Sequence, residues 1–243
     1  MAVLQYTGGT TGVSKGAVLL HRNLVANVLQ NEAWSAPLMR TIAHGEHPTM
    51  VCALPLYHIF AFTYCMMQSM RLGGKLILIA NPRDLPTMFD ELSRHRIHLM
   101  PAVNALFNSM VNHPAFGTVD WSNLVGAIGG ASAVQASVAK AWLEKTGRPI
   151  LEGYGLSETS PVASGNPANT TAYNGGGHLA DRRDGRCHRD SEHRRGNASS
   201  CNKCLHWPFS LKLGRRPENI APVLRPDFRV GIRAKRNPAL VRQ

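Results

Sequence analysis

Residues 6–16 read YTGGTTGVSKG, and no other stretch of the chain says as much about it. Four glycines, three threonines and one serine surround a single lysine, Lys15, just after the apolar run Ala2, Val3, Leu4. Glycine lets the backbone bring its N–H groups close to an anion, hydroxyls add donors, and lysine supplies a mobile point charge. These are the parts of a phosphate cradle. A flexible Gly/Thr linker is the alternative reading, but a linker has no reason to hold one lysine between that run and the next apolar run, 17–20.

A Walker A loop is excluded, because it needs Ser or Thr directly after the lysine to meet Mg2+, and Lys15 is followed by Gly16. Three later segments carry chemistry of their own. Residues 54–62, LPLYHIFAF, set an aromatic–histidine pair, Tyr57 and His58, in apolar surroundings. Residues 126–132, GAIGGAS, form a run of small residues around Gly130 and Ala131. Residues 153–161, GYGLSETSP, gather Tyr154, Gly155, Glu158 and Thr159.

Taken in order, the four segments resemble the signatures of the acyl-adenylate-forming enzymes. This is the AMP-binding superfamily of acyl-CoA synthetases, luciferases and peptide-synthetase adenylation domains. Its loop runs Ser or Thr, Ser or Gly, Gly, Ser or Thr, Thr, Gly, any residue, Pro, Lys, Gly. Residues 7–16 depart from that pattern only at Ser14, where proline is common. The wording of LQYTGGTTGVSKGA, HRNLVAN, ALPLYHIFA and LEGYGLSET is similar to that of bacterial long-chain-fatty-acid–CoA ligases.

The resemblance implies ATP, Mg2+ and coenzyme A as cofactor and co-substrates, and a fatty acid as the acid activated. It implies ATP binding by Thr7, Gly8, Gly9, Thr10, Thr11, Gly12 and Lys15 of the loop, by Gly130 and Ala131, where the base lies against the backbone, and by Tyr154, Gly155 and Thr159. Tyr154 would stack on the base and Thr159 reach the α-phosphate, while Tyr57 and His58 would stand beside the acyl pocket. Glu158 and Thr10 would hold the metal, and Lys15, Thr10 and Glu158 would be the catalytic set. It further implies a cytoplasmic enzyme, with peripheral contact at the inner face of the membrane as an added expectation and no specific nucleic-acid partner.

The residues suit that chemistry on their own terms. Attack of a carboxylate on the α-phosphorus builds negative charge on the phosphoryl oxygens and the departing pyrophosphate, so catalysis is mostly positioning and electrostatics. Loop amides, the hydroxyls of Thr10 and Thr11, and Lys15 meet those charges, and a hard cation with oxygen ligands is served by Glu158. Two plainer readings stand beside these: Glu158 as a cap acid after Ser157, and His58 as a hydrogen-bonded core histidine.

Apolar runs at 2–4, 51–54, 76–80, 98–100, 124–128 and 150–151 predict short buried strands, and helical periodicity predicts helices at 22–34, 59–70, 85–96, 103–111 and 134–146. Gly73, Gly74 and Gly147 fall where helices should stop. The fold class expected is α/β, with layered parallel-rich sheets and flanking helices, as part of the large N-terminal domain of an AMP-binding enzyme. Ligands then gather at the loops after the strand ends, where the signature segments lie. The apolar helix 59–70 is too short to span a bilayer and reads as a buried wall of an acyl tunnel.

The chain changes character near Asn174. Residues 1–174 hold 11 Lys+Arg against 9 Asp+Glu, and residues 175–243 hold 16 against 6, so nearly all of the net charge of +12 sits in the tail. The expected division is a partial adenylate-forming domain over 1–174 and a basic tail with no assignable domain over 175–243. Three readings of the tail stand: out-of-frame translation, since GC-rich genes misread yield Arg-, Gly-, Pro- and His-rich text; a basic arm for nucleic acid or an anionic membrane; or a metal site from Cys187, His188, Cys201, Cys204 and His206. The single CxxC makes the last weak.

The related ligases continue with a Thr-Gly-Asp segment and a second domain carrying a catalytic lysine, and neither is found in the tail. The expectation is therefore an internal piece of a ligase that does not turn over by itself. Five irregularly spaced cysteines suggest a reducing compartment, and because no basic start is followed by an apolar run, the expectation is a chain without a secretory signal.

Overall fold

The computed structural model describes residues 1–7 and 15–171. The expectations for Gly8, Gly9, Thr10, Thr11 and Gly12, and for all of 175–243, lie outside those residues.

The first two strands form a hairpin of their own. Strand β1 (Val3–Thr7) pairs antiparallel with β2 (Lys15–Leu19), with Val3 opposite Leu19 and Thr7 opposite Lys15. The glycine-rich stretch thus falls in the sequence between two paired strands, and Lys15 is the first described residue after it. The run 2–4 is indeed a strand, but it stands apart from the main sheet.

Helix α1 (His21–Met39) follows, its start closed by Asn23, whose Oδ1 accepts the Leu20 N–H. After it come β3 (Thr49–Cys52), a helix that opens in π geometry (Phe60–Met67) and closes as α2 (Gln68–Leu72), and β4 (Lys75–Leu78). Then α3 (Leu85–Leu92), β5 (Leu99–Ala102), α4 (Asn104–Val111), β6 (Gly126–Gly129), α5 (Ala136–Thr146), β7 (Ile150–Gly155) and β8 (Val162–Gly165) complete the described chain. The predicted helices and strands agree with these elements to within a few residues. Gly73 and Gly147 end α2 and α5 in the left-handed conformation, at φ 62° and 69°, which costs a glycine nothing.

The main sheet has six strands in the order β4-β3-β5-β6-β7-β8. All neighbours are parallel except β7 and β8, as expected for strands joined by helical crossovers. The order runs one way from β3 to β4 and the other way from β5 onward, which makes the C-terminal ends of the strands the place for a ligand crevice. Side chains alternate between two cores. Val51, Ala53, Met100, Ala102, Ala127 and Ile150 face α3, α4 and α5, where Trp142 is fully buried among Phe107, Phe116 and Trp121. Met50, Cys52, Leu99, Val125 and Ile128 face the π-helical segment and the Trp34 end of α1. Helices therefore cover both faces, which is why the strands read as continuous apolar runs. Among the described residues no helix is long and apolar enough to cross a membrane.

Candidate functional site

A cavity of about 170 Å³ opens where α1, the π-helical segment and the ends of β6, β7 and β8 meet. Three of the four signature segments line it: His58, Ile59 and Phe60 of the second, Gly129, Gly130 and Ala131 of the small-residue turn, and residues 153–157 with Pro161 of the last. The Tyr57 ring is 82% exposed and is not among the lining residues, so only His58 of that pair reaches the cavity. His58 is exposed as well, and its Nδ1 accepts the Phe60 N–H at 3.2 Å, closing the start of the helix. With Nδ1 occupied as an acceptor, the ring proton sits on Nε2. His58 is therefore not a core histidine.

The small residues of the turn have packing reasons that the sequence did not disclose. A Cβ on Gly130 would come within 2.9 Å of the Phe60 ring, and one on Gly129 within 2.6 Å of Val134. Phe60 thus lies on bare backbone, and Ala131 beside it adopts a left-handed φ of 66°. Gly155 has a similar cause: at the irregularity between Tyr154 and Gly155 the Pro161 carbonyl stands where its Cβ would be.

The last signature is held from several sides. Tyr154, 50% exposed, lines the cavity, and the 3-10 turn Ser157–Thr159 follows it. The Thr159 hydroxyl accepts the Leu156 N–H at 2.9 Å and contacts the Leu156 and Pro161 carbonyls, so it closes its own turn. Glu158 is exposed at the tip of that turn, against which β2 packs. Gln5 of β1 donates to the Tyr57 carbonyl at 3.0 Å. The hairpin that begins with Lys15 on its second strand is therefore docked beside both the second signature and the Glu158 turn.

Sequence reasoning missed the residues that hold this together. Asn27, buried on α1, donates from Nδ2 to the Val162 carbonyl at 2.8 Å and the Thr159 carbonyl at 3.3 Å. Asn31, one turn on, donates to Asn27 Oδ1 at 3.0 Å, and Trp34 donates to the Asn166 carbonyl at 2.8 Å. Asn166 Oδ1 in turn accepts the Glu152 N–H at 2.7 Å. Glu152, 3% exposed, accepts the Val134 N–H at 2.6 Å and so ties β7 to the loop after the small-residue turn. The available signal was two asparagines and a serine, Asn27, Asn31 and Ser35, at i, i+4 spacing along the buried stripe of α1.

Among the described residues no group of three or more His, Cys, Asp or Glu could cage a metal ion. Glu158 is an exposed carboxylate, the kind of donor that Mg2+ takes when it keeps waters and binds substrate phosphates.

The profile of the AMP-binding enzyme family matches residues 1–183. The chain is 48% identical over 174 residues to a long-chain-fatty-acid–CoA ligase of Yersinia pestis, covering 72% of this chain and 30% of that protein. It is 44% identical over 175 residues to the ligase of the same name from Haemophilus influenzae, covering 72% and 31%. Among solved structures, ATP-bound MatB from Rhodopseudomonas palustris superposes with a TM-score of 0.60 at 25% identity, over 72% of this chain and 33% of that one. The chain thus spans about a third of the length of the relatives it matches.

Proposed function

The chain belongs to the AMP-binding enzyme family, and from that premise we propose that it forms the acid- and nucleotide-binding part of an ATP-dependent long-chain-fatty-acid–CoA ligase. One observation carries the reading: a single, largely apolar cavity is lined jointly by His58 and Phe60, by Gly130 and Ala131, and by Tyr154 and Gly155. An acyl chain fits against Phe60, Tyr64, Ile128 and Val162, and the nucleotide fits at the more exposed end, beside Tyr154 and the hairpin.

In this reading the carboxylate attacks the α-phosphorus of ATP, giving acyl-AMP and pyrophosphate, and the thiol of coenzyme A then attacks the acyl carbon, forming the thioester and releasing AMP. Lys15, Thr7 and the loop residues Gly8, Gly9, Thr10, Thr11 and Gly12 hold the β- and γ-phosphates. Tyr154 stacks on the base, Gly130, Ala131 and Gly155 let it approach the backbone, and the Thr159 turn faces the α-phosphate. The exposed Glu158, with Thr10, suits Mg2+, which supplies charge neutralisation on the phosphates when bound. Phe60 on Gly130 keeps the acyl side dry, and exclusion of water strengthens every electrostatic contact at the phosphorus.

The test is exchange of labelled pyrophosphate into ATP, driven by a series of carboxylic acids, in the enzyme that carries this segment. Exchange that rises with long-chain acids supports the reading. Exchange driven only by short or aromatic acids would make it another acid-adenylating enzyme, and no acid-dependent exchange would remove the adenylating role.

A further inference from the structure

The pairing of β7 with β8 ends on a step that is only half main chain. Asn166 falls opposite Glu152, one residue beyond the Gly153–Gly165 pair. In an antiparallel ladder two such residues exchange both of their N–H···O=C bonds. One bond is ordinary, since the Asn166 N–H donates to the Glu152 carbonyl at 2.9 Å. In the other, the Glu152 N–H donates to Asn166 Oδ1 at 2.7 Å. The side chain has taken the place of its own carbonyl, and that carbonyl accepts Trp34 Nε1 at 2.8 Å instead. Pro167 follows and has no N–H with which to extend the ladder.

Asn166 is not among the residues lining the cavity, yet both residues it holds are: Trp34 from α1 and Glu152 from β7. Glu152 carries the effect further. Its side chain lies over Gly129, where an added Cβ would meet Glu152 Cγ at 3.6 Å, and its Oε1 accepts the Val134 N–H at 2.6 Å. Gly130 and Ala131 sit between Gly129 and Val134, and Ala131 has a left-handed φ of 66°. A residue with a Cβ keeps that conformation only where its surroundings impose it. The turn is imposed from both ends, by β6 before it and by the Glu152 carboxylate after it.

We propose that Asn166 is a positioning residue for the nucleotide end of the cavity. Its side-chain oxygen sets the Glu152 main chain, and Glu152 sets the turn that carries Gly130 and Ala131. The proposal rests on the reading of that turn as a wall of the nucleotide site.

The test is calorimetric binding of AMP, and separately of a long-chain acid, to the full chain and to Asn166→Ala. That variant keeps the N–H and the carbonyl, and with them the Trp34 bond, and removes only the oxygen that faces Glu152. AMP affinity is expected to fall roughly five- to tenfold, the scale of one hydrogen bond, while acid affinity changes less than about twofold on the same scale. In a Glu152→Ala background the same substitution should cost no further AMP affinity, because the two residues act in one chain. The indole N–H resonances of the buried Trp121 and Trp142 report whether each variant is folded. A folded Asn166→Ala with unchanged AMP affinity, an equal loss for AMP and acid, or a full additional loss in the Glu152→Ala background would each overturn the proposal and leave the nucleotide reading standing. Should the variant not fold, hydrogen exchange in the unaltered chain decides: AMP should slow exchange of the Glu152 and Val134 amides and the acid should not, and no slowing by saturating AMP would overturn the proposal. Failure of the unaltered chain to bind AMP at all would overturn the nucleotide reading and the proposal with it.

Discussion

Asn27 on α1 donates to the Val162 carbonyl at 2.8 Å across 135 residues of sequence. The same carboxamide reaches Thr159, so one buried side chain fixes both the start of β8 and the turn that carries Glu158. Asn27→Leu would remove hydrogen bonds from two carbonyls and one N–H in a place where water does not replace them easily. A loss of about 2–4 kcal/mol of stability is expected, together with weaker AMP binding as the turn loosens. Thermal unfolding and AMP titration check this, and a variant with unchanged AMP affinity would show that the clamp does not position the site.

Lys15 begins β2 opposite Thr7, the two residues that flank the glycine-rich stretch in the sequence. If it serves the β- and γ-phosphates, Lys15→Ala should weaken ATP binding about tenfold or more, the scale of a charged hydrogen bond, and leave AMP binding nearly unchanged. An equal loss for both nucleotides would place the lysine elsewhere.

Glu158 is exposed at the tip of the Ser157–Thr159 turn. Glu158→Gln is expected to reduce the gain in ATP affinity on adding Mg2+ and to leave the melting temperature almost unmoved, because a lost exposed cap costs only about 1 kcal/mol. Lost stability with an intact Mg2+ response would instead make it the cap acid that its place after Ser157 also allows.

His98 gives the fold an acid limit. It is 2% exposed, its Nδ1 accepts the Thr49 N–H at 3.0 Å, and its Nε2 lies 3.5 Å from Glu46, which also meets Arg96. Burial lowers its pKa below the ordinary 6.5, with Glu46 opposing and Arg96 adding to the shift. Between the lowered folded value and 6.5 the unfolded chain holds more protons, so the contribution is complete above about 6.5 and is lost as pH falls toward the folded value. His98→Asn keeps an acceptor for Thr49 without a titrating ring. Unfolding measured between pH 7 and pH 5, roughly the window in which histidine titrates, should show a shallower slope in the variant, and an unchanged slope would contradict the assignment.

Much of the sheet was legible because its strands are buried on both faces and stand out as apolar runs, as at 51–54 and 150–151, and because Gly73 and Gly147 mark helix ends by conformation alone. The signature segments were legible as chemistry, and three of them do converge on one cavity. Strand β8, reading VASG, was not, since it has no apolar pattern and is held from a distant helix by Asn27 at its start and by Trp34 at Asn166, just past its end. The π-helical turn at Phe60 was hidden for a related reason, because periodicity reports a helix without reporting its width. Glu152, Asn27 and Asn31 were missed because a buried polar residue is defined by partners far along the chain. Gly130 looked like space for a base, and what the structure shows against its bare backbone is the Phe60 ring.

The central claim is that one cavity receives an acyl group and an adenylate together. Its most direct test is binding of a stable acyl-adenylate mimic, a long-chain acyl sulfamoyl adenosine, to residues 1–243, beside sulfamoyl adenosine and the free acid. Because both halves share one site and one tether, the joined compound is expected to bind at least about a hundredfold tighter than either half, and Asn27→Leu should erase most of that gain. A joined compound that binds no better than sulfamoyl adenosine would contradict the claim.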